Sequence, residues 1–355
     1  MMADGVTSNY QSYADNREGA EALLQMEAEA GWLMWHKTRQ GLERACGKPV
    51  SLRKIGVIVK QKGDQRKLRL IHDLRRSGVN AKVATHERVV LPRANDARDD
   101  VLGLIETCGA QHWEMFVLDL KDAFKQIKLH PAEHKHLAGQ AASKYFPYLC
   151  IVFGIKSGPL VWGRTAALLM RLTSAVMKDE PPCLECFVDD PLFTIGGNEI
   201  ERVRLFSMVV ILWLALGFRI SWKKGSRGRK IEWIGIVIQE WLSATRVLGV
   251  TFTMSAERIE KLATTCKELA AEPGTVSRNK LRQLAGLATW IAGVLPQLTA
   301  YTAMLWAAIA CAKKGRVETA HVRRPLRWLM QLCQSGFMPV QRHCRKRAES
   351  LQRYP

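Results

Sequence analysis

The chain has 355 residues, of which 47% are hydrophobic and 24% are charged, and this composition excludes a disordered protein. Its length is sufficient for two or three subdomains. The formal net charge of +20 predicts a polyanionic partner, either nucleic acid or an anionic membrane surface, in preference to a generally basic protein without one.

The N-terminal segment and the cysteines predict an intracellular protein of the cytoplasm or nucleus that is not secreted. Residues 1–22 are polar and acidic, unlike a secretory signal. The nine cysteines are an odd number and are expected to be free thiols in a reducing compartment. The apolar run 205–218 is too short to cross a bilayer and predicts a buried helix. Pro296 interrupts the run 284–310, which predicts two packed helices and no membrane span.

The predicted elements follow an α+β order, in which most strands precede most helices. Residues 1–49 have an amphipathic helical pattern. Ser255 is the expected N-cap of a late helix. In chain order we further predict two strands around a polar turn in 51–75, a strand that then turns in 112–131, a strand ending in a glycine-containing loop in 145–159, a helix in 161–179, a helix in 200–217, a hairpin in 230–244 and helices from 255 onward.

Two acids stand side by side in the apolar segment CFVDDPLFTIGG, residues 186–197. In a straight strand, Asp189 and Asp190 would face opposite sides, so they can share a site only if the chain turns at them. Pro191 restricts Asp190 to extended or turn geometry and removes one backbone donor, which is tolerable at a hairpin tip. The segment is therefore predicted to be two strands joined by a tight turn at the acids.

A second acidic pair, Asp119 and Asp122, lies in FVLDLKDAF, where Asp119 also ends an apolar strand. Two unit charges ~4 Å apart repel by about 4 kcal/mol at an effective dielectric constant near 20, so clustered carboxylates need a proton or a cation. Mg²⁺ prefers carboxylate, phosphate and water oxygens, and two such ions can support phosphoryl transfer. With the basic surface, these acids favour a nucleotidyltransferase over an acid–base hydrolase.

Several motifs occur in one order between about residues 50 and 310: LRLIHDLRRSGVNA, FVLDLKDAFKQIKLHP, VFGIKSGPLVWGR, FVDD, LGFRISWKK and IEWIGIVI. Together they resemble a reverse transcriptase (RNA-directed DNA polymerase) of the retrotransposon type. The resemblance implies an α+β right-hand polymerase with fingers, a palm built on an antiparallel sheet with packed helices, and a helical thumb. The implied regions are an N-terminal helical extension (1–49), fingers and palm (50–245), a helical thumb (246–310) and a basic connection-like tail (311–355).

The implied function is extension of a primer with dNTPs on an RNA or DNA template. Two Mg²⁺ ions, or Mn²⁺ in their place, would be the cofactors, and the chain would be part of a retrotransposon polyprotein. One alternative is a decayed, reverse-transcriptase-like protein that binds nucleic acid without catalysis. A second alternative is a different two-metal enzyme, such as a nuclease or a cyclase.

The resemblance also implies catalytic roles for individual residues. Asp119 and Asp189 would hold the two metals with the carbonyl group of Leu120, and Asp190 belongs to the same acid cluster and metal set. Lys224 would donate a proton to the departing pyrophosphate, or its neighbour Lys223 would do so.

Further residues would bind the nucleotide and the primer. The ring of Phe124 would crowd a ribose 2′-hydroxyl and favour dNTPs, and its alternative role is core packing. The full set implied by the resemblance is Lys62 (with Lys60 as its competitor) and Arg69 at the triphosphate, Asp122 and Phe124 in the nucleotide pocket, Phe153 and Gly154 under template and nucleotide, and Trp233, Ile234 and Gly235 as the primer grip.

The chain departs from the family pattern at three positions. Val152 replaces the usual proline before Phe-Gly, Gly158 replaces a common alanine, and Pro191 follows the acid pair in place of an apolar β-former. These departures put rate and fidelity in doubt more than the fold.

The C-terminal region, 311–355, is rich in basic residues and is expected to contact the template duplex. Its segment HVRRPLRWLMQLC has helical spacing. The alternative to this duplex contact is that the segment forms a solvated, exposed helix. The apolar side of this helix is predicted to carry Leu326, Leu329, Met330 and Cys333.

Overall fold

The described residues form an α+β fold, as the sequence predicts, although the helices are interleaved with the strands and do not mostly follow them. The computed structural model describes residues 8–62, 65–108, 112–177, 183–242, 248–334 and 341–345. The α-helices are α1 (Gln11–Ala14), α2 (Arg17–Glu29), α3 (Arg39–Cys46), α4 (Ala94–Cys108), α5 (Gly158–Val176), α6 (Glu199–Ala215), α7 (Ala256–Ala271), α8 (Arg278–Ala292), α9 (Thr299–Ala310) and α10 (Thr319–Gln334). The strands are β1 (Leu52–Lys62), β2 (Gln65–Asp73), β3 (Trp113–Val117), β4 (Ala138–Ala141), β5 (Lys144–Pro147), β6 (Cys183–Phe187), β7 (Asp190–Gly196), β8 (Ser226–Gly228), β9 (Lys230–Trp233), β10 (Ile236–Leu242), β11 (Leu248–Met254), β12 (Thr275–Ser277), β13 (Arg316–Glu318) and β14 (Gln341–Arg345).

The chain divides into two compact units, and the first comprises Met1–Val90, Leu120–Leu169 and Gly217–Arg219. Its sheet has the order β2-β1-β4-β5, in which β1 and β4 run parallel and the other neighbours run antiparallel. Apolar side chains of α2 join those of β1 and the segment around Tyr148 in one core. The N-terminal helices are therefore built into the core of this unit.

The second unit comprises Leu91–Asp119, Met170–Leu216 and Ile220–Pro355. One antiparallel sheet has the order β6-β7-β3-β8, and another has the order β14-β11-β10-β9. The apolar strand β3 lies inside the first of these sheets, and most of its side chains are buried. An Asn198–Glu201 capping box fixes the start of α6 by satisfying backbone donors that the first turn leaves free.

Helices α7 to α10 of the second unit share a large apolar core with β3 and β9–β11. On α10, Leu326 and Leu329 are fully buried, and Met330 and Cys333 pack against the same core. The predicted apolar side of this helix is thus confirmed, and the alternative of a solvated helix is wrong. Helices α8 and α9 are separate, with Pro296 beginning a short 3-10 turn between them. No helix in the described part of the chain is long and apolar enough to traverse a bilayer.

Three expectations about local structure need correction. The helical pattern of 1–49 breaks after α2, where Gly31 adopts a positive φ of 72° and the chain forms bridges with Tyr145 and Tyr148. Residues 248–254, placed in a helical thumb, form strand β11 because they pair with β10 and β14. Ser255 precedes α7 as expected, but its side chain makes no capping hydrogen bond. The polar turn at 63–64 lies outside the described residues.

Candidate active site

The acidic pair sits at the tip of the β6–β7 hairpin. Phe187 pairs with Asp190, so Val188 and Asp189 form a two-residue turn. Val188 has a positive φ of 60°, as the first central residue of a type II′ turn requires. A β-branched residue is strained in this region, and such strain is concentrated at functional sites. The predicted turn at the acids is confirmed.

Pro191 lies where the hairpin meets the end of β3. The amide of Leu118 donates to the carbonyl of Pro191 at 3.3 Å. In an antiparallel ladder the N–H and C=O of one residue face the same neighbour, so the donor that proline lacks would also face this chain end, just beyond Val117. The missing donor therefore lies at the end of the β3–β7 ladder. The hydrogen bond between Leu118 and Pro191 at this end also brings Asp119 beside the acids of the hairpin.

Lys224 is the direct partner of Asp119. Its Nζ donates to Oδ1 of Asp119 at 2.6 Å, and the Asp119 side chain is only 8% exposed whereas that of Lys224 is 64% exposed. The amide of Ser221 donates to the carbonyl of Asp119 at 2.8 Å, which ties the segment before Lys224 to the end of β3. Of the two adjacent lysines in this segment, Lys224 is the one that contacts the acids.

The acids share one electrostatic environment. Burial and then the neighbouring charges of Asp189 and Asp119 raise the pKa of Asp190 to about 6. Burial also raises the pKa of Asp189, with a smaller contribution from Asp119. The hydrogen bond with Asp119 raises the pKa of Lys224. Both hairpin acids therefore resist ionisation, and an added cation would relieve that resistance.

The β9–β10 hairpin contacts the backbone of the acidic pair. The indole Nε1 of Trp233, which is buried, donates to the carbonyl of Asp190 at 2.9 Å. Ile234 and Gly235 form the turn, with φ values of 47° and 79°. A Cβ on Gly235 would lie 2.3 Å from the guanidinium of Arg258, so only glycine leaves room for that side chain. The Arg258 guanidinium in turn lies 3.9 Å from the ring centroid of Trp290.

Asp119, Asp190 and the β9–β10 turn open onto one cleft of about 740 Å³ within the second unit. Asp119, Asp190 and Lys224 line it together with the three residues predicted as the primer grip, Trp233, Ile234 and Gly235. Arg258 and Lys230 also line it, and sequence reasoning missed both. Arg258 gives no signal in the sequence, because its approach to Gly235 depends on packing between distant segments.

The acids at the end of β3 and at the tip of the β6–β7 hairpin fit a hard divalent cation. Within the ranges that the structure describes, no three His, Cys, Asp or Glu side chains stand close enough to hold a metal ion together. Mg²⁺ ordinarily needs only one or two protein carboxylates, because substrate phosphates and water complete its shell. Asp119 and Asp189 can supply these. In this structure the ammonium group of Lys224 provides the positive charge beside Asp119.

The first unit holds the predicted nucleotide-pocket residues. Phe124 is 8% exposed, and its ring lies 5.0 Å from that of Phe153, which is 62% exposed. The ring centroid of Trp162 lies 6.2 Å from that of Phe124. Phe124 is thus a mostly buried ring that supports an exposed one, and core packing accounts for much of its surface. Leu120, which follows Asp119 in the chain, is buried.

Phe124 lies in the 3-10 turn Ala123–Gln126, which Lys125 anchors to an N-terminal helix. Asp122 begins this turn in a left-handed conformation, with φ 53° and ψ 40°. The ammonium of Lys125 pairs with Glu27 of α2 and lies 4.2 Å from the ring centroid of Trp32. Glu27 also accepts a hydrogen bond from the hydroxyl of Tyr148. A helix of the N-terminal region therefore fixes the 3-10 turn of the predicted pocket.

Gly154 is fixed against strand β2. Its φ is 106°, and a Cβ there would lie 2.8 Å from the carbonyl oxygen of His72. The side chain of Asn80 donates to the Gly154 carbonyl at 2.8 Å and accepts from the amide of Lys156 at 2.9 Å. The asparagine of the LRLIHDLRRSGVNA motif thus anchors the loop of the VFGIKSGP motif.

The β1–β2 hairpin presents cations on one face. Lys60 and Lys67 are direct partners across the ladder, and Arg69 pairs with Ile58 on the same face, because opposed residues and every second residue share a side. All three basic side chains are exposed. Like charges placed directly opposite destabilise a hairpin, so this face favours an anion. Lys62 ends β1 opposite Gln65, and its side chain lies outside the described residues.

Comparison with solved structures identifies the fold. The chain matches the foamy viral protease-reverse transcriptase in complex with RNA/DNA hybrid, with a TM-score of 0.60 and 17% identity over 94% of this chain and 39% of that one. It also matches two complexes of that protein with double-stranded DNA, with TM-scores of 0.58 and 0.57, 18% identity in each, and 87% and 90% of this chain covered.

The chain spans 39–57% of the length of these matched chains. No family model matches the sequence, and no curated protein matches it. The likeness establishes a reverse-transcriptase-like fold.

Proposed function

We propose that the chain is an RNA-directed DNA polymerase, a nucleotidyltransferase that extends a primer with dNTPs on an RNA or DNA template. We also propose that the chain is part of a retrotransposon polyprotein, and this part of the proposal rests on the order of the sequence motifs alone. The observation that carries the proposal is the cleft in which Asp119, Asp190 and Lys224 meet the β9–β10 turn and Arg258. A nuclease or a cyclase would need the acids but not this turn.

Each residue has a defined task in the proposed reaction, in which the primer 3′-hydroxyl attacks the α-phosphate of the dNTP. Trp233 holds the backbone of Asp190 and so fixes the acids relative to the turn that supports the primer end. Lys224 carries a proton near the acids and donates it to the departing pyrophosphate. Lys60 or Lys62, with Arg69, binds the triphosphate, and Phe124 supports Phe153 against the sugar and template.

Asp119 and Asp189 would hold Mg²⁺ or Mn²⁺, with Asp190 and the carbonyl of Leu120 as further oxygen ligands. Such ions supply the positive charge that activates the hydroxyl and stabilises the leaving oxygen. The chain's own contribution is the convergence of its carboxylates, whose raised pKa values for Asp189 and Asp190 reflect burial and mutual repulsion.

Primer extension on poly(rA)/oligo(dT) with Mg²⁺ or Mn²⁺ tests the proposal. The wild-type chain is expected to incorporate dTTP, and Asp189→Asn is expected to reduce the rate at least 100-fold, since charge stabilisation by one group is worth roughly 3–4 kcal/mol in comparable sites. Glu268→Gln, at an exposed position on α7 outside the cleft, is the control for the loss of a carboxylate. Extension that survives Asp189→Asn would exclude the mechanism.

A decayed, reverse-transcriptase-like binding protein is the second candidate. The ion pair between Lys224 and Asp119 favours it, because it fills the position beside an acid that a metal would take. Such a protein would bind primer–template in a salt-dependent way and incorporate nothing with either metal. Metal-dependent cleavage without extension would instead indicate a nuclease.

A further inference from the structure

A second cleft, of about 580 Å³, lies between α9 and α10. None of its lining residues borders the acid cleft. No acidic side chain lines it among the described residues, and its walls combine cations, rings and an amide: Tyr301, Arg323, Arg324, Arg327, Trp328 and Gln331.

The arginines of this cleft carry uncompensated charge. Arg323, Arg324 and Arg327 are exposed, and in the described part of the chain none of them takes part in an ion pair. Arg323 and Arg327 are one helical turn apart and share a face, where like charges destabilise a helix. An anion bound along this face would convert that repulsion into attraction.

The aromatic rings give the cleft a second recognition element. Tyr301 and Trp328 stack with centroids 4.0 Å apart and planes 15° from parallel. Trp328 also packs against the core of the second unit, so the pair is held in place by its surroundings. A fixed aromatic stack beside guanidinium groups is the combination that binds bases and phosphates of an unpaired strand.

We propose that the α9–α10 cleft binds single-stranded nucleic acid, with Arg323 and Arg327 on phosphates and one base stacked on the Tyr301–Trp328 pair. An unpaired strand fits better than a duplex, because bases in a duplex are already stacked on each other. An acidic protein would satisfy the arginines but would leave the ring pair without a planar partner. The inference goes beyond primer extension, since it requires binding alone.

Fluorescence anisotropy of labelled dT12 tests the proposal on the full chain, with excess unlabelled blunt duplex present to fill duplex sites. Arg323→Gln/Arg327→Gln is expected to weaken binding at least tenfold. It should also reduce the slope of log K against log salt by about 1.4, because each phosphate contact to a single strand contributes about 0.7. Tyr301→Leu should weaken binding about tenfold and leave the slope unchanged.

Lys267→Gln/Arg282→Gln is the matched control, because it removes the same charge from exposed positions on α7 and α8. It is expected to change affinity less than twofold. Equal losses of dT12 affinity in the two double variants would show that only the net charge matters. No loss of affinity in either variant would show that dT12 does not bind at this cleft. Absence of dT12 binding in the presence of the excess blunt duplex would indicate a surface that binds duplexes, and displacement of dT12 by millimolar dTTP would indicate a mononucleotide pocket. Each of these results would overturn the proposal.

Discussion

Two glycines of the first unit differ in what a methyl group would meet. Gly78 and Gly154 both have positive φ, 77° and 106°. A Cβ on Gly78 would have no atom within 4 Å, whereas one on Gly154 would lie 2.8 Å from the carbonyl oxygen of His72. Alanine substitutions at these two glycines therefore separate the free-energy cost of a positive φ from the cost of a steric clash with the backbone.

We predict that Gly78→Ala lowers the free energy of unfolding by about 1 kcal/mol, the usual cost of a left-handed conformation for an L-residue. Gly154→Ala should lower it by about 3 kcal/mol or more, because overpacking against backbone adds to the strain. Urea titrations of both variants measure the difference. Equal losses would mean that the loop around Gly154 moves freely away from β2, contrary to its hydrogen bonds with Asn80.

Sequence patterns can identify acids of the site but not all of their neighbours. Asp119 and Asp190 stand out because carboxylates interrupt apolar strands, and the structure brings both to one cleft. Arg258 gives no such signal, since arginine in a first helical turn is ordinary. Its position over Trp290 and against Gly235 arises only when α7, α8 and the β9–β10 turn pack together.

At the scale of elements, local patterns predicted the hairpins in 51–75, 186–197 and 230–244 and the helices α5 to α10, but they missed helix α4, the β4–β5 hairpin and several strands. The β6–β7 hairpin follows from the apolar residues on both sides of the acids and from Pro191, all of which act within a few residues. Strand β11 was not predicted; it pairs along its length with β10, and its other edge is paired with β14, a segment far away in the sequence. Strands β12 and β13 have three residues each, too few for a periodic signal.

Strand β6 and helix α4 bring acids together. Glu185 on β6 lies near Asp96 and Asp100 on α4. Burial, then Asp100, then Asp96 raise the pKa of Glu185 to about 7, and burial with Asp96 and Asp99 raises that of Asp100 to about 6. The folded chain therefore keeps protons that the unfolded chain has already released above pH 4.5.

This packing makes stability fall as pH rises from about 4.5 to 7, because the folded state binds more protons than the unfolded state in that window. Glu185→Gln removes one of the raised groups. We predict that it increases the free energy of unfolding at pH 8 by about 1 kcal/mol, a figure reduced from the full pKa difference because the side chain is partly exposed. Below pH 4.5 the variant and the wild type should agree.

Urea titrations at pH 4.5 and pH 8 measure this effect. Glu260→Gln, at an exposed position on α7, is the control and should show the same stability difference at both pH values. A Glu185→Gln effect that does not depend on pH would mean that the carboxyl is ionised throughout and that α4 does not enclose it.

At the scale of the whole molecule, the charge of +20 is arranged over surfaces suited to phosphate. Lys60, Lys67 and Arg69 share one face of the first unit, and Arg323 and Arg327 line a cleft of the second. Charge alone can attract an anionic membrane, but binding that survives salt would also need an exposed apolar helix face beside the charge to insert. The apolar face of α10 is unavailable, since Leu326 and Leu329 are buried in the core.

We therefore predict that the full chain binds a primer–template duplex with a steep salt dependence, in which affinity falls about 1,000-fold or more between 50 and 200 mM salt if six or more phosphates are contacted. Phosphatidylserine vesicles should bind only at low salt, because charge alone attracts them and screening removes that attraction. Co-sedimentation with vesicles and anisotropy with the duplex, each at 50 and 200 mM salt, compare the two polyanions. Vesicle binding that persists at 200 mM while duplex binding is lost would assign the basic surface to a membrane. Duplex binding that weakens about 1,000-fold yet stays measurable at 200 mM salt, while vesicle binding is lost, would require phosphate contacts of defined geometry.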